Sequence, residues 1–215
     1  MQTVSAAAAV SKIPDGATLM IGGFMGVGTP ERLVDELVRQ GKRDLTVIAN
    51  DTAVPGRGIG KLVDAGLVSR TIASHIGLNP ETQKQMIAGK MAVDLVPQGT
   101  LIERIRAGGY GLGGVLTPTG IGTVVEEGKQ KVQVNGKSYL IETALRAQFA
   151  LINAFLADYI GNLSFALTGR NFNPVIAMAA ETTMVMAEHI VPVGLIPPDH
   201  VVTPAPLVDY LVTNG

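Results

Sequence analysis

The stretch Asp15-Gly16-Ala17-Thr18-Leu19-Met20-Ile21-Gly22-Gly23-Phe24-Met25-Gly26-Val27-Gly28-Thr29-Pro30 joins an apolar run to a glycine-rich loop and then to a proline. Residues 18–21 are β-branched or aliphatic without interruption, the pattern of a strand buried on both faces. Gly22, Gly23, Gly26 and Gly28 follow, four glycines in seven residues. Without Cβ, the backbone turns sharply there and a ligand can approach the chain itself. Pro30 predicts the first position of a helix over 30–39, where a missing N–H loses no hydrogen bond. A helix start offers free N–H groups and a partial positive charge worth roughly 0.3–1 kcal/mol to a nearby anion. The unit suits a pantetheine arm, a phosphate or a carboxylate. The alternative is a tight structural turn, which usually needs fewer glycines.

Outward from this unit, strand-like and helix-like segments alternate. Residues 45–49, 69–73 and 92–96 read as strands, and 58–65, 80–89 and 101–107 as helices, the last carrying Glu103, Arg104 and Arg106. Such alternation with short links predicts an α/β fold, a mostly parallel sheet covered by helices on both faces. The middle changes character. Residues 123–126, 131–134 and 137–142 read as three antiparallel strands, the last two joined by Asn135-Gly136, a strong hairpin signal. Glu126 and Glu127, adjacent on the first of these, would point to opposite faces and so could not work as a pair. The α/β pattern resumes with strands at 148–152 and 182–186 and a short helix over 174–180 behind Asn173. No fixed-period repeat, low-complexity tract or linker interrupts the chain, so residues 1–215 are expected to form a single domain with a small antiparallel insertion.

Composition narrows the function classes. A chain of 215 residues can bury roughly 70% of its unfolded surface. Apolar residues make up 47% and charged residues only 16%, a lean charged surface that predicts another chain covering part of the exterior. With no Trp, 4 Tyr and 5 Phe, the core is aliphatic. The formal net charge is -1, from 17 basic and 18 acidic residues, with no clustered basic face to neutralise phosphates, which argues against nucleic acid. The absence of cysteine removes disulfides and thiolate chemistry and agrees with a reducing compartment. The amino-terminal residues lack the basic flank and long apolar stretch of a signal peptide, and no run approaches 18 apolar residues. A cytoplasmic protein with no membrane segment is expected.

Several near-motifs fail on context. Gly109, Gly111 and Gly114 satisfy G-x-G-x-x-G but follow a predicted helix rather than a strand. Gly60-Lys61 and Gly136-Lys137-Ser138 echo a Walker A ending without its leading glycine. His75, His189 and His200 stand far apart with no metal-ligand spacing, so no metal site is expected. No G-x-S-x-G elbow is present.

The segment 15–30 closely resembles the signature of the family I coenzyme A transferases: Asp-Gly, three apolar residues, Gly-Gly-Phe, then Gly-x-Pro. Nearly the whole chain shares the resemblance. Ile48-Ala49-Asn50-Asp51-Thr52, Ala73-Ser74-His75-Ile76-Gly77, Val96-Pro97-Gln98-Gly99-Thr100-Leu101, Thr117-Pro118-Thr119-Gly120, Gly122-Thr123, Gly161-Asn162-Leu163 and Arg170-Asn171-Phe172-Asn173-Pro174 all look like the α subunit of that family. The acetate/acetoacetate type matches better than the 3-oxoadipate type.

The resemblance implies ping-pong transfer of CoA between short-chain acyl-CoA and free carboxylic acids through a glutamyl-CoA thioester. The family's nucleophilic glutamate lies in a Ser-Glu-Asn-Gly-type sequence of the β half, and no Glu here precedes Asn-Gly. The expected partner is therefore a separate β subunit, in an α2β2 or larger assembly, with CoA and acyl-CoA as substrates and no cofactor. Within this chain the loop Gly22, Gly23, Phe24, Met25, Gly26, Val27 and Gly28 is the expected contact with CoA or the acyl group. Gln98 is expected to support the oxyanion, a role whose loss typically slows turnover by roughly 10²–10³-fold; a loop-fixing hydrogen bond is the alternative. Asn50 and Asn173 are weaker candidates, one a possible strand end and the other a possible helix cap. Tyr110 and Val115 stand where a smaller and a larger side chain would be expected, so they bear on local pocket shape. Two competing readings remain: a sugar-phosphate isomerase of similar fold, for which no acid–base set is visible, and a non-catalytic acyl-CoA-binding or assembly protein.

Overall fold

The computed structural model describes residues 1–213. The chain runs through β1 (Gln2–Val4), α1 (Ala6–Ser11), β2 (Thr18–Ile21), α2 (Glu31–Arg39), β3 (Leu45–Asp51), α3 (Gly60–Asp64), β4 (Val68–His75), α4 (Pro80–Ile87), β5 (Ala92–Leu95) and α5 (Gln98–Gly109). It then forms β6 (Gly114–Thr117), β7 (Lys131–Val134) and β8 (Lys137–Thr143), and returns through β9 (Ala147–Asp158), β10 (Leu163–Ser164), α6 (Asn173–Ile176), β11 (Ala180–Val191) and β12 (Tyr210–Val212). The main sheet has the order β1-β12-β11-β9-β2-β3-β4-β5, with β10 beside β9. Every pairing in it is parallel except β10 with β9.

Alternation along the central strands feeds two cores, one on each face. Leu19, Ile21, Val47, Ala49, Leu151 and Met184 pack with Val10 of α1, Leu33 and Leu37 of α2 and Leu62 of α3. Met20, Ile48, Ala150, Ile152 and Val185 face the other way, onto Leu101 and Ile105 of α5 and Ile176 of α6. The mostly parallel sheet, covered on both faces, is as the sequence predicts. So is the hairpin: Asn135 and Gly136 both hold positive φ (50° and 76°) between β7 and β8.

Four expectations need correction. Residues 123–126 do not form a strand. Val124–Glu126 is a 3₁₀ turn whose start is capped by Thr123, its Oγ1 accepting from the Val125 N–H at 3.2 Å. The third antiparallel strand is instead β6, paired with β8, and Glu126 and Glu127 therefore do not sit on a strand. Strands β9 and β11 are each 12 residues long, far longer than 148–152 and 182–186, because they pair with each other beyond the end of β2. Helix α2 begins at Glu31, with Pro30 at the cap (φ -74°, ψ 74°). Helix α6 spans only Asn173–Ile176, and Asn173 is its first residue rather than its cap. The single-domain expectation also covers residues 214 and 215, which lie outside the described residues.

Candidate active site

In a parallel sheet, ligands bind beyond the carboxyl ends of the strands. The loop after β2, the last residue of β3 and the first residue of α5 meet there. A groove of about 700 Å³, lined by Thr18, Thr46, Arg70 and Asp94 among others, lies beside the amino-terminal halves of β2 to β4. By that rule the carboxyl-end cluster is the better candidate.

The glycine loop is a tight reverse turn. Phe24 and Val27 exchange both backbone hydrogen bonds at 2.9 Å, and Met25 and Gly26 between them hold φ of 51° and 81°, the mirror-type turn of hairpins. Protein packing accounts for the first two glycines. A Cβ on Gly22 would fall 1.8 Å from Asn173 Oδ1, and Gly23 combines φ 122° with Thr29 Oγ1 only 2.1 Å from where its Cβ would sit. Gly22, Gly23 and Gly26 are buried. The loop instead presents Phe24, Met25 and Val27, which are 39%, 38% and 44% exposed.

Asn173 is the strut behind this turn. Its Nδ2 donates to Gly28 O and Gly169 O, each at 2.9 Å, and its Oδ1 accepts from the Asn153 N–H at 3.0 Å. It is fully buried, so its amide is spent on the fold. A second set of contacts converges on Asp51. Its carboxylate accepts from the Met25 N–H at 3.2 and 3.0 Å, from the Ala53 N–H at 2.7 Å and from Asn50 Nδ2 at 2.7 Å. Met25 and Ala53 are both non-glycine residues in the left-handed region, at φ 51° and 54°, a conformation that costs roughly 1–2 kcal/mol per residue. Strain of this kind persists only where surrounding structure over-determines it, and Asp51 is the group that does so at both positions.

Gln98 opens α5 and is exposed. Its Nε2 donates to Asn50 Oδ1 at 3.2 Å and reaches Asn171 Oδ1 at 3.5 Å. These are the contacts of a loop-fixing amide, but the second is at the limit of a hydrogen bond, so that N–H is available to a competing oxygen. Asn50 is buried on β3, one residue before its end, and faces Gln98 directly. The structure thus brings together the turn, Asn50 and Gln98, and places Asn173 behind the turn.

Comparison with known proteins decides the family. Residues 3–214 match the family described as coenzyme A transferase. The chain belongs to the coenzyme A transferase family. It is 58% identical over 200 residues to the acetate CoA-transferase subunit alpha of Escherichia coli K12, covering 93% of this chain and 91% of that one. It is 50% identical over 198 residues to the acetoacetyl-CoA:acetate/butyrate CoA transferase alpha subunit of Clostridium acetobutylicum, covering 92% and 91%. Among solved structures, the acyl-CoA transferase of E. coli O157:H7, in a thioester complex with CoA, superposes with a TM-score of 0.87 at 27% identity. That match covers 99% of this chain and 47% of the other, so the present chain spans about half of that enzyme.

The surroundings of the turn are ordered by charge. Glu31, at the start of α2, accepts from the Gly58 N–H at 3.0 Å and from Lys61 Nζ at 2.6 Å, and Lys61 also donates to Asp35 at 2.6 Å. Burial works against the Lys61 charge, but the hydrogen bonds to Asp35 and Glu31 outweigh it and hold its pKa above the usual lysine value. This pairing ties α2 to the loop after β3. Next to Gln98, Thr100 and Val115 line a cavity of about 340 Å³ with Thr117 and Thr119. The Thr100 hydroxyl is buried there without a hydrogen-bond partner. Tyr110 is 61% exposed and follows α5. The histidines stay apart: His75 ends β4, His189 packs edge-on against Phe155 at 5.4 Å, and His200 lies in a 3₁₀ turn.

Sequence reasoning missed Asp51 and Asn171. Both stand inside motifs that carry the family resemblance, yet neither residue type signals its role there. The need for Asp51 comes from the left-handed conformations of Met25 and Ala53, which no residue type announces in advance.

Proposed function

We propose that this chain is the α subunit of a heteromeric transferase that exchanges CoA between short-chain acyl-CoA and free carboxylic acids of the acetate, acetoacetate and butyrate class. The observation that carries the division of labour is that the carboxylates around the turn are already committed. Asp51 accepts three N–H donors, and Glu31 holds Gly58 and Lys61. Neither is placed as a nucleophile, whereas Gln98 holds one amide N–H loosely, at 3.5 Å from Asn171. The identities to two alpha subunits over more than nine-tenths of the chain support the same reading.

In this scheme a glutamate carboxylate of a β subunit attacks the thioester carbonyl. The tetrahedral oxyanion collapses with loss of CoA thiolate, leaving a mixed anhydride. The thiolate then attacks the glutamyl carbonyl, releasing the first acid and forming glutamyl-CoA. The incoming carboxylate attacks that thioester, and the steps reverse to give the new acyl-CoA. This chain contributes the turn at 22–28, whose exposed Phe24, Met25 and Val27 line the approach for CoA or the acyl group, and Gln98 as oxyanion donor. CoA and acyl-CoA enter as substrates, and the scheme calls for no metal or prosthetic group. Residues 1–215 act as one domain in an α2β2 or larger cytoplasmic assembly.

The test is co-expression with a β subunit carrying a Ser-Glu-Asn-Gly-type segment. The purified 215-residue chain alone is expected to show no transfer, and the copurified pair to transfer CoA among acetate, butyrate and acetoacetate. Light scattering of the pair reads its stoichiometry. Robust turnover by this chain alone, or a CoA adduct trapped on one of its own glutamates, overturns the proposal.

A further inference from the structure

We infer that Asp51 is a positioning residue which, through Asn50, dictates which edge of the Gln98 carboxamide faces the cleft; the inference rests on the reading of Gln98 as an oxyanion donor. The argument is one of hydrogen-bond polarity. An amide can be turned either way in a site, and its orientation follows from its partners. The Asp51 carboxylate meets N–H donors from the Met25 and Ala53 backbone, so it acts as acceptor on every side. Asn50 must therefore turn its NH₂ toward Asp51, at 2.7 Å. That leaves Asn50 Oδ1 on the far side, where Gln98 Nε2 meets it at 3.2 Å. A carbonyl there accepts only a donor, so Gln98 must present its NH₂ and not its own oxygen. Ser74 holds the same residue in place, its hydroxyl donating to Asn50 O at 2.7 Å.

The consequence is a Gln98 NH₂ group with one N–H committed to Asn50 and one shared weakly with Asn171 at 3.5 Å. Asn171 Nδ2 is buried and without a partner, so little else is tied to that contact when a ligand oxygen takes the N–H over. The same carboxylate that sets this polarity also holds Met25 at the tip of the glycine turn. Turn and amide donor are therefore linked through a single buried side chain.

The experiment uses the chain in complex with its β subunit and reads kcat and KM for acyl-CoA separately. Gln98→Ala is expected to lower kcat by about 10²-fold with little change in KM. Asp51→Asn puts an NH₂ among donors and inverts the relay. It is expected to lower kcat by at least about 10-fold while KM moves less than about two-fold. The double variant Asn50→Ala/Gln98→Ala is expected to be no slower than Gln98→Ala alone, because Asn50 acts through Gln98 and the Asp51 contacts to Met25 and Ala53 stay in place. Asn50→Ala cuts the relay while sparing the Met25 and Ala53 contacts, and is expected to reproduce the kcat loss; it carries the test if Asp51→Asn fails to fold. Losses that multiply in the double variant, or an Asn50→Ala complex with the parent kcat, overturn the inference. A silent Gln98→Ala overturns it too and removes the oxyanion role, but leaves the subunit assignment standing on the co-expression result.

Discussion

Asn173 and Gln98 are both amides beside the same turn, and their contacts separate them. Asn173 has no exposed surface and makes three hydrogen bonds to backbone groups, whereas Gln98 is exposed and holds one N–H loosely. Truncating Asn173 to Ala removes the partner of the Asn153 N–H and of the Gly28 and Gly169 carbonyls, all of them part-buried. A buried polar group left unpaired costs about 1–3 kcal/mol and a part-buried one less, so a loss of roughly 2 kcal/mol is expected for the three together. Thermal unfolding should show it, with activity falling only as far as the folded fraction does. A selective loss of kcat with unchanged Tm would instead place Asn173 in the chemistry. Sequence reasoning reached Gln98, Asn50 and the turn because residue type and position carry a signal there. It left Asn173 between a weaker site candidate and a helix cap, since an Asn ahead of a proline reads as a cap. That its amide reaches back 145 positions to Gly28 is a tertiary fact with no local trace.

Among the elements, those with a plain periodicity were legible and those set by pairing were not. Residues 18–21 match β2 to the residue, and the helices α2, α4 and α5 were placed to within a turn. The lengths of β9 and β11 were missed because two strands that pair with each other extend as far as their mutual ladder does. The small antiparallel sheet shows a further link that spacing could not reveal. Glu142 on β8 is 2% exposed on its side chain and meets Lys129 Nζ at 2.6 Å and Arg104 Nη1 of α5 at 3.7 Å. Arg104 also donates to the Thr143 carbonyl at 2.7 Å. Glu142 thus fastens the insertion to α5, the helix that Gln98 opens. Glu142→Ala leaves two half-buried cations without their carboxylate, and a loss of about 3 kcal/mol is expected. Urea unfolding of the variant measures it; a change within about 0.5 kcal/mol would mean that the insertion is held by its other contacts alone.

For the whole molecule, the sheet couples the two cores. Leu19 and Ile21 pack into one and Met20 into the other, and the same division recurs at Val47, Ile48 and Ala49 and at Ala150, Leu151 and Ile152. Opening either core exposes side chains whose neighbours one residue away hold the other, so neither can be lost while the sheet persists. The three-stranded sheet stands apart from this arrangement. Of the residues in β6, β7 and β8, only Leu140 and Glu142 are buried, and Leu140 belongs to neither core. Few buried apolar contacts mean a low free energy of local opening. Native-state hydrogen exchange is therefore expected to divide the chain in two. Amides of β2, β3, β9 and β11 should exchange only through global unfolding and share one protection level. Those of β7 and β8 should exchange at least about ten-fold faster, through an opening that leaves the main sheet intact. Distinct protection levels on the two sides of β2 would show that the two halves of the sheet unfold separately, and residues 1–213 would then be two units rather than one.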